Sequence, residues 1–274
     1  LSFFCQLYYR REGALLNRFS LLFILMAIML PATGYDKQPS GQAIMEEVDK
    51  NDIGWKDSET KLRMLLKNKT GQVSERFLRI KSLEVVGDGD KSLTIFDKPK
   101  DVKGTAFLSH THSLKPDDQW LYLPAIKRVK RIASANKSGP FVGSEFAYED
   151  LSSFELDKYK FEWEKNEIKN NVTHNIIRAF PQYKYSGYTS LLLSIDRNIM
   201  RPVKIRYYDR KGALLKTLTQ HEFKKYLGKY WRPGRMEMIN HQTGKSTTLL
   251  WQDWQFSKGL SDSDFNKASL KRSR

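Results

Sequence analysis

From residue 40 onward, apolar and polar positions follow two periods, and the change between them outlines the elements. In "SGQAIMEEVDKND" (40–52), Ala43, Ile44 and Val48 recur at helical spacing, Ser40 can cap the start and Asn51 closes the run. One amphipathic helix is predicted there. The stretch "SETKLRMLLKNKTGQVSERFLRIKSLEVV" (58–86) instead alternates, with Leu62, Met64 and Leu66 on one face of a first strand and Phe77 and Arg79 on one face of a second. Lys69-Thr70-Gly71-Gln72 joins them as a β-hairpin. Strand-like runs follow at 91–97, 104–112, 119–124, 159–165, 172–180, 189–196, 202–209, 215–226, 230–240 and 246–256, and turn residues such as Gly87-Asp88-Gly89, Asn170-Asn171 and Thr243-Gly244 separate them. About a dozen strands with short connections predict a meandering antiparallel sheet, which at that size curls into a barrel or half-barrel.

The rhythm breaks between Pro124 and Phe154. "GSEFAYEDLSSF" (143–154) returns to helical spacing, with Ala147, Leu151 and Phe154 on one face, Ser144 as a cap, and Glu145, Glu149 and Asp150 near the positive end of the dipole. A helix inserted there is expected to cover the concave face of the curled sheet. "DDQWLYLPAIKRVKRIAS" (117–134) is then the strand and basic connector that lead into this lid.

Composition changes the picture through charge and compartment. The chain has 274 residues, 40% hydrophobic, with 47 Lys+Arg against 31 Asp+Glu and a formal net charge of +16. Such an excess suits anionic partners. Arg10, Arg11 and Arg18 precede the apolar run "FSLLFILMAIML" (19–30), which is too short for a membrane span of about 20 residues, and "ATG" (32–34) supplies small residues for cleavage. Residues 1–34 are therefore expected to be a cleaved signal peptide and 35–274 a single periplasmic domain, with the true translation start near Leu15 or Leu16. The sole cysteine, Cys5, lies in the leader, so no disulfide or thiolate chemistry is available to the rest. Nucleic-acid binding is not expected: export removes the partner, and no RNP pattern or helix-turn-helix period occurs.

Four segments, "DDQWLYLPAIKRVKRIAS", "FVGSEFAYEDL", "RYYDRKGALLKTL" and "YWRPGRMEMINHQTGKSTTLLW", resemble the outer-membrane lipoprotein-sorting protein family, the LolA-like proteins. The Trp-Leu-Tyr-Leu-Pro, Gly-Ser-Glu/Asp-Phe and Tyr-Asp-x-x-Gly-x-x-x-Lys patterns carry the resemblance together, in order, across roughly residues 40–272. It implies a mainly β (α+β) fold: an unclosed antiparallel β-barrel of about eleven strands, with helices covering a hydrophobic cavity that carries acyl chains across the periplasm. The implied partners are a lipid or acylated protein and an inner-membrane transporter. A non-shuttling lipid-binding or scaffold subunit of a lipid exporter is the alternative.

Within that expectation Trp120, Tyr122, Phe141, Phe146, Leu151 and Phe154 are candidates for cavity or lid contact, with plain core packing as the other reading. Lys127, Arg128, Lys130 and Arg131 alternate with Ile126, Val129 and Ile132, and are candidates for docking to an anionic membrane surface or to an acidic partner; a solvated loop with one arginine bonded to lid groups is the competing reading. No enzyme is predicted. His110 and His112 share a strand face without a third ligand, no G-x-S-x-G elbow occurs, and no metal or cofactor site is expected.

Overall fold

A computed structural model describes residues 39–272 of the chain; the expected signal peptide lies outside the described residues. In chain order the elements are α1 (Gly41–Lys50), β1 (Asp57–Lys67), β2 (Val73–Leu83), β3 (Lys91–Lys98), β4 (Ala106–His110), β5 (Asp118–Leu123), β6 (Arg128–Arg131), β7 (Tyr159–Lys169) and β8 (Val172–Pro181). They continue with β9 (Tyr188–Asp196), β10 (Arg201–Asp209), β11 (Leu214–His221), β12 (Lys224–Tyr226), β13 (Tyr230–Arg232), β14 (Arg235–Asn240), β15 (Ser246–Phe256) and α2 (Lys267–Arg272). Thirteen strands form one sheet in the order β6-β5-β4-β3-β2-β1-β15-β14-β11-β10-β9-β8-β7, while β12 and β13 make a separate hairpin. Every pairing is antiparallel, and β6 and β7 stand as unpaired edges. The sheet is thus the unclosed antiparallel architecture expected, with more strands.

Helix α1 begins where Ser40 Oγ accepts the Ala43 amide at 3.1 Å, and it buries Ile44, Met45 and Val48. Its start abuts the β7 backbone so closely that a Cβ on Gly41 would lie 2.7 Å from the Trp163 nitrogen. Only glycine permits that approach. In the β1–β2 hairpin, Leu62 pairs with Leu78 and Thr60 with Ile80. Leu62, Met64 and Leu66 face inward as expected, but on β2 the inward face is Leu78 and Ile80; Phe77 is exposed, with the Lys98 ammonium over its ring.

Three expectations are corrected. The run 215–226 does not continue as one strand, because Glu222 takes φ 58° and the chain leaves the sheet for the β12–β13 hairpin, rejoining it at Arg235; the run 230–240 divides for the same reason. The basic connector is not a loop: after a left-handed residue at Lys127 (φ 50°), Arg128–Arg131 form the edge strand β6 against β5. Residues 143–154 are not an α-helix. They make 3-10 turns at Phe141–Gly143 and Tyr148–Leu151, linked by extended backbone at Ser144 and Ala147. There the Phe141 amide donates to the Phe146 carbonyl (2.7 Å) and the Ala147 amide to the Asp150 carboxylate (2.7 Å), bonds that compete with a helical ladder.

Candidate functional site

The sheet buries apolar side chains on both faces. On the convex side, Leu93, Ile95, Ala106, Leu108, Trp120 and Tyr122 from β3–β5 pack under Phe265 and Leu270 of the C-terminal segment. On the concave side, Phe96, Phe107 and Leu121 of the same strands join Leu62, Met64, Leu78, Leu191, Leu193, Ile205, Leu218, Met238 and Leu249. Strands β3–β5 read as nearly continuous apolar runs because both of their faces are covered.

The concave face is not filled. Lobes of about 640, 610 and 300 Å³ lie along it and share lining residues: Asp150 and Met236 border the first and third, Phe154 and Ile205 the first and second. Leu191, Ile205, Tyr207, Leu218 and Met236 wall the largest; Leu62, Met64, Leu78, Ile80 and Leu249 wall the smallest. These volumes fall in the range of small-molecule sites.

A strap, residues 132–158, crosses the opening between the β6 and β7 edges and is fastened by buried polar groups. Asp150 accepts from Lys216 Nζ (2.6 Å) and Tyr188 Oη (2.8 Å), and both charged side chains are only 4% exposed. The Lys216 ammonium also lies 5.2 Å from the ring centres of Tyr188 and Tyr207 and donates to the Glu145 carbonyl (3.0 Å). A second anchor is Asp117, which pairs with Lys137 (3.1 Å) and Lys158 and accepts from Ser152 Oγ (2.8 Å). Burial raises the Asp117 pKa, but the two lysines outweigh that and hold it below the usual carboxylate range. A third is Glu149, which takes the Gly187 amide (2.9 Å) and the hydroxyls of Tyr183 and Ser186 (both 3.2 Å). Burial and then Asp150 push its pKa up to about 7, against the hydrogen bonds it accepts. A side chain at Gly187 would displace this carboxylate, since a Cβ there would lie 2.7 Å from Glu149 Oε1.

Toward the 68–72 and 241–245 turns the strap closes the interior. Arg76 donates to the Val142 carbonyl, the Glu145 amide to Thr247 Oγ1 (3.0 Å) and Asn240 Nδ2 to the Glu145 carboxylate (2.7 Å). Phe141 stands 5.2 Å from Phe107 and 5.8 Å from Phe96.

The expected cavity residues divide between the faces. Phe141, Phe146 and Leu151 border the smallest lobe, and Phe154 borders the two larger ones, stacked on Tyr159 at 4.4 Å. Trp120 and Tyr122 stand on the convex face, away from every lobe described. Lys127, Arg128, Lys130 and Arg131 are all exposed, and Arg131 pairs with Asp118. His110 donates through Nε2 to the Phe265 carbonyl (2.6 Å) and His112 contacts Asp88 through Nδ1 (2.7 Å), so both rings serve packing and loop contacts. Among the described residues no group of three or more His, Cys, Asp or Glu is placed to hold a metal ion.

Sequence reasoning missed the anchors, although one signal was available. In β11 the alternation places Lys216 on the same face as Leu218, a cation among inward positions. The Lys216–Asp150 pair joins the last residue of the Tyr-Asp-x-x-Gly-x-x-x-Lys pattern to the Gly-Ser-Glu-Phe segment, and Asp117 opens the Trp-Leu-Tyr-Leu-Pro segment.

The unclosed antiparallel sheet with an apolar hollow is the fold that the resemblance to the LolA-like proteins implies, with 3-10 turns of the strap in place of the expected covering helix. The crystal structure of an outer-membrane lipoprotein-sorting protein domain from Vibrio parahaemolyticus is similar to this chain, with 57% identity, a TM-score of 0.83 and coverage of 85% of this chain and 98% of that one. A DUF1329 family protein from Desulfovibrio piger is similar at 26% identity and a TM-score of 0.79, covering 84% and 97%. A LolA superfamily protein from Nitrosomonas europaea shares the fold at 20% identity and a TM-score of 0.67, covering 84% and 99%. The model of a family described as an uncharacterized protein matches residues 88–272, and no curated protein matches the chain. The chain belongs to the outer-membrane lipoprotein-sorting, LolA-like family.

Proposed function

We propose that the protein is a periplasmic carrier that binds lipoprotein acyl chains, or another lipid, in the concave hollow for transfer toward the outer membrane. The observation that carries this reading is the unfilled apolar wall under the strap. Each acyl CH₂ in water costs about 0.8 kcal/mol, so one long chain costs roughly 10 kcal/mol to move unaided, and a dry hollow removes that barrier. Polar anchors fasten the strap at separate points, and beside its packed rings Phe141 and Phe146 the lobes remain open beneath it. Among the described residues no helix is long and apolar enough to cross a membrane. Lys127, Arg128, Lys130 and Arg131 on the edge strand supply an exposed cationic face for an inner-membrane transporter or an anionic lipid surface.

Titration with a fluorescent fatty-acyl probe tests the reading. Saturable binding is expected, and Leu151→Asp or Phe154→Asp should weaken it at least about tenfold, because a buried unpaired charge costs several kcal/mol. Circular dichroism of each variant separates a lost hollow from a lost fold. A folded wild type with no saturable binding, and no lipid in its native mass spectrum, would refute the carrier.

A further inference from the structure

The end of the sheet away from the 68–72 and 241–245 turns carries exposed aliphatic side chains on four separate loops: Val86 is 91% exposed, Leu114 87%, Leu227 64% and Ile53 49%. These loops are tied together. Asp88 accepts from the Ser113 amide (2.8 Å) and meets His112 Nδ1 (2.7 Å), joining the loop of Leu114 to that of Val86. Glu84 accepts from the amides of Gly54 (2.6 Å) and Lys56 (2.8 Å), joining Val86's loop to that of Ile53. The Ile53 carbonyl in turn accepts from Lys229 Nζ (2.6 Å) and Tyr230 Oη (3.3 Å), which ties in the β12–β13 hairpin bearing Leu227. One hydrogen-bonded chain therefore holds four aliphatic tips in a common rim. Ile53 and Val86 also border the 610 Å³ lobe and Leu114 the 640 Å³ lobe, so the rim adjoins the hollow.

Charge on this rim is arranged unevenly. Three of its carboxylates are engaged internally: Glu84 on backbone amides, Asp88 on His112, and Asp52 on Arg201 (2.8 Å) and Arg232 (2.6 Å); Asp157 and Glu222 are exposed. Lys56, Lys115 and Lys224 are exposed and make no ion pair among the described residues. Beside its aliphatic tips the rim therefore presents these three ammonium groups.

We infer that this rim is a membrane-contacting face, which inserts Val86, Leu114, Leu227 and Ile53 into the interfacial layer of an anionic phospholipid bilayer while the neighbouring lysines meet headgroup phosphates. Single aliphatic tips on separate loops do not form the continuous patch of about 800 Å² per partner that a stable protein interface needs. Shallow insertion into lipid needs no such continuity, and the net positive charge complements an anionic surface. The inference goes beyond the carrier reading and does not depend on what occupies the hollow.

The test uses the full chain with Cys5→Ser, so that one introduced cysteine is unique, labelled with an environment-sensitive fluorophore at Leu114→Cys, Val86→Cys or, as a control in the exposed 68–72 turn at the opposite end, Lys69→Cys. Vesicles of phosphatidylcholine and phosphatidylglycerol are then titrated in. A blue shift at 114 and 86 but not at 69 is expected. Leu227→Glu, on the rim but bordering none of the three lobes, should raise the lipid concentration needed for half the shift at 114 at least about tenfold, as the loss of one buried aliphatic side chain predicts, and leave acyl-probe binding measured without vesicles unchanged. No shift at 114 and 86, a shift only at 69, or an unaltered titration with Leu227→Glu would overturn the inference. Loss of acyl-probe binding by the wild type would instead refute the carrier and leave this rim untouched.

Discussion

Strands β3–β5 bury side chains on two faces that are completed in different ways. On the convex face, Trp120, Tyr122, Leu93 and Leu108 meet Phe265 and Leu270, and the layer is closed by one short segment. His110 bonds to the Phe265 carbonyl and Lys91 to Asp262 (2.6 Å), fixing the start of that segment. On the concave face, Phe96, Phe107 and Leu121 enter an interior that α1 and the strap cover without filling. A convex surface diverges outward, so a few side chains complete it. A thirteen-stranded sheet curving inward encloses more volume than one ten-residue helix and a strap can occupy. The comparison teaches that apolar area is shared by both faces, whereas vacant volume belongs to the concave one.

The variant with the largest expected effect strikes the strap. Asp150→Ala leaves the Lys216 ammonium buried with only the Glu145 carbonyl and two tyrosine rings, and breaking a buried pair from one side costs about 3–5 kcal/mol. Chemical denaturation should show that loss, and bound acyl probe should exchange faster. If stability is unchanged, the strap is not held as described.

On the convex side, Phe265→Ala removes a fully buried ring and should cost about 3 kcal/mol or more, with acyl-probe affinity unaltered. A matching fall in probe affinity would show that the two faces are coupled and end the distinction between them.

Filling the hollow provides the converse. Leu218→Trp directs a larger side chain into the 640 Å³ lobe; probe affinity should drop about tenfold while stability changes by less than about 1 kcal/mol, since overpacking costs about 1–3 kcal/mol only where space is already occupied. A cost in that higher range would mean a filled core.

The smallest effect concerns pH. Glu149 and Asp90 both have pKa values raised to about 7, in each case chiefly by burial. A carboxyl whose folded pKa lies above its unfolded one favours the fold most at pH below about 4.5, and that advantage is lost as pH rises through 7. Stability should therefore fall between pH 5 and 7.5, and Glu149→Gln should flatten part of the fall, on the order of 1 kcal/mol once the carboxyl's residual exposure is allowed for. Thermal melts across that range check the sign; a rise in stability toward pH 7.5 would contradict it.

Much of the fold was legible because period-2 patterning and turn residues report local geometry directly. The β1–β2 hairpin, the capped α1 helix and most strand limits follow from Leu62-x-Met64 alternation, Ser40 and Gly71 alone. The failures have a common cause. "GSEFAYEDLSSF" has helical spacing, yet the amide of Ala147 is taken by Asp150, the Phe146 carbonyl accepts from the Phe141 amide, and Glu145 is drawn to Thr247 and Asn240 on the sheet. "RVKR" resembles a loop by polarity, but an edge strand has one open side and tolerates such residues.

Sequence by itself determined the antiparallel meander, the helix that precedes it, the basic charge and, through four ordered segments, the LolA-like resemblance. Only the tertiary structure decided which aromatics face the hollow, because "WLYL" is apolar at every position and carries no mark of which side is convex. It also decided that Lys216 meets Asp150, 66 residues away, and that Val86 and Leu114 share a rim. Such pairings depend on how far the sheet curls and where its edges stop, quantities summed over thirteen strands and encoded in no single run of residues.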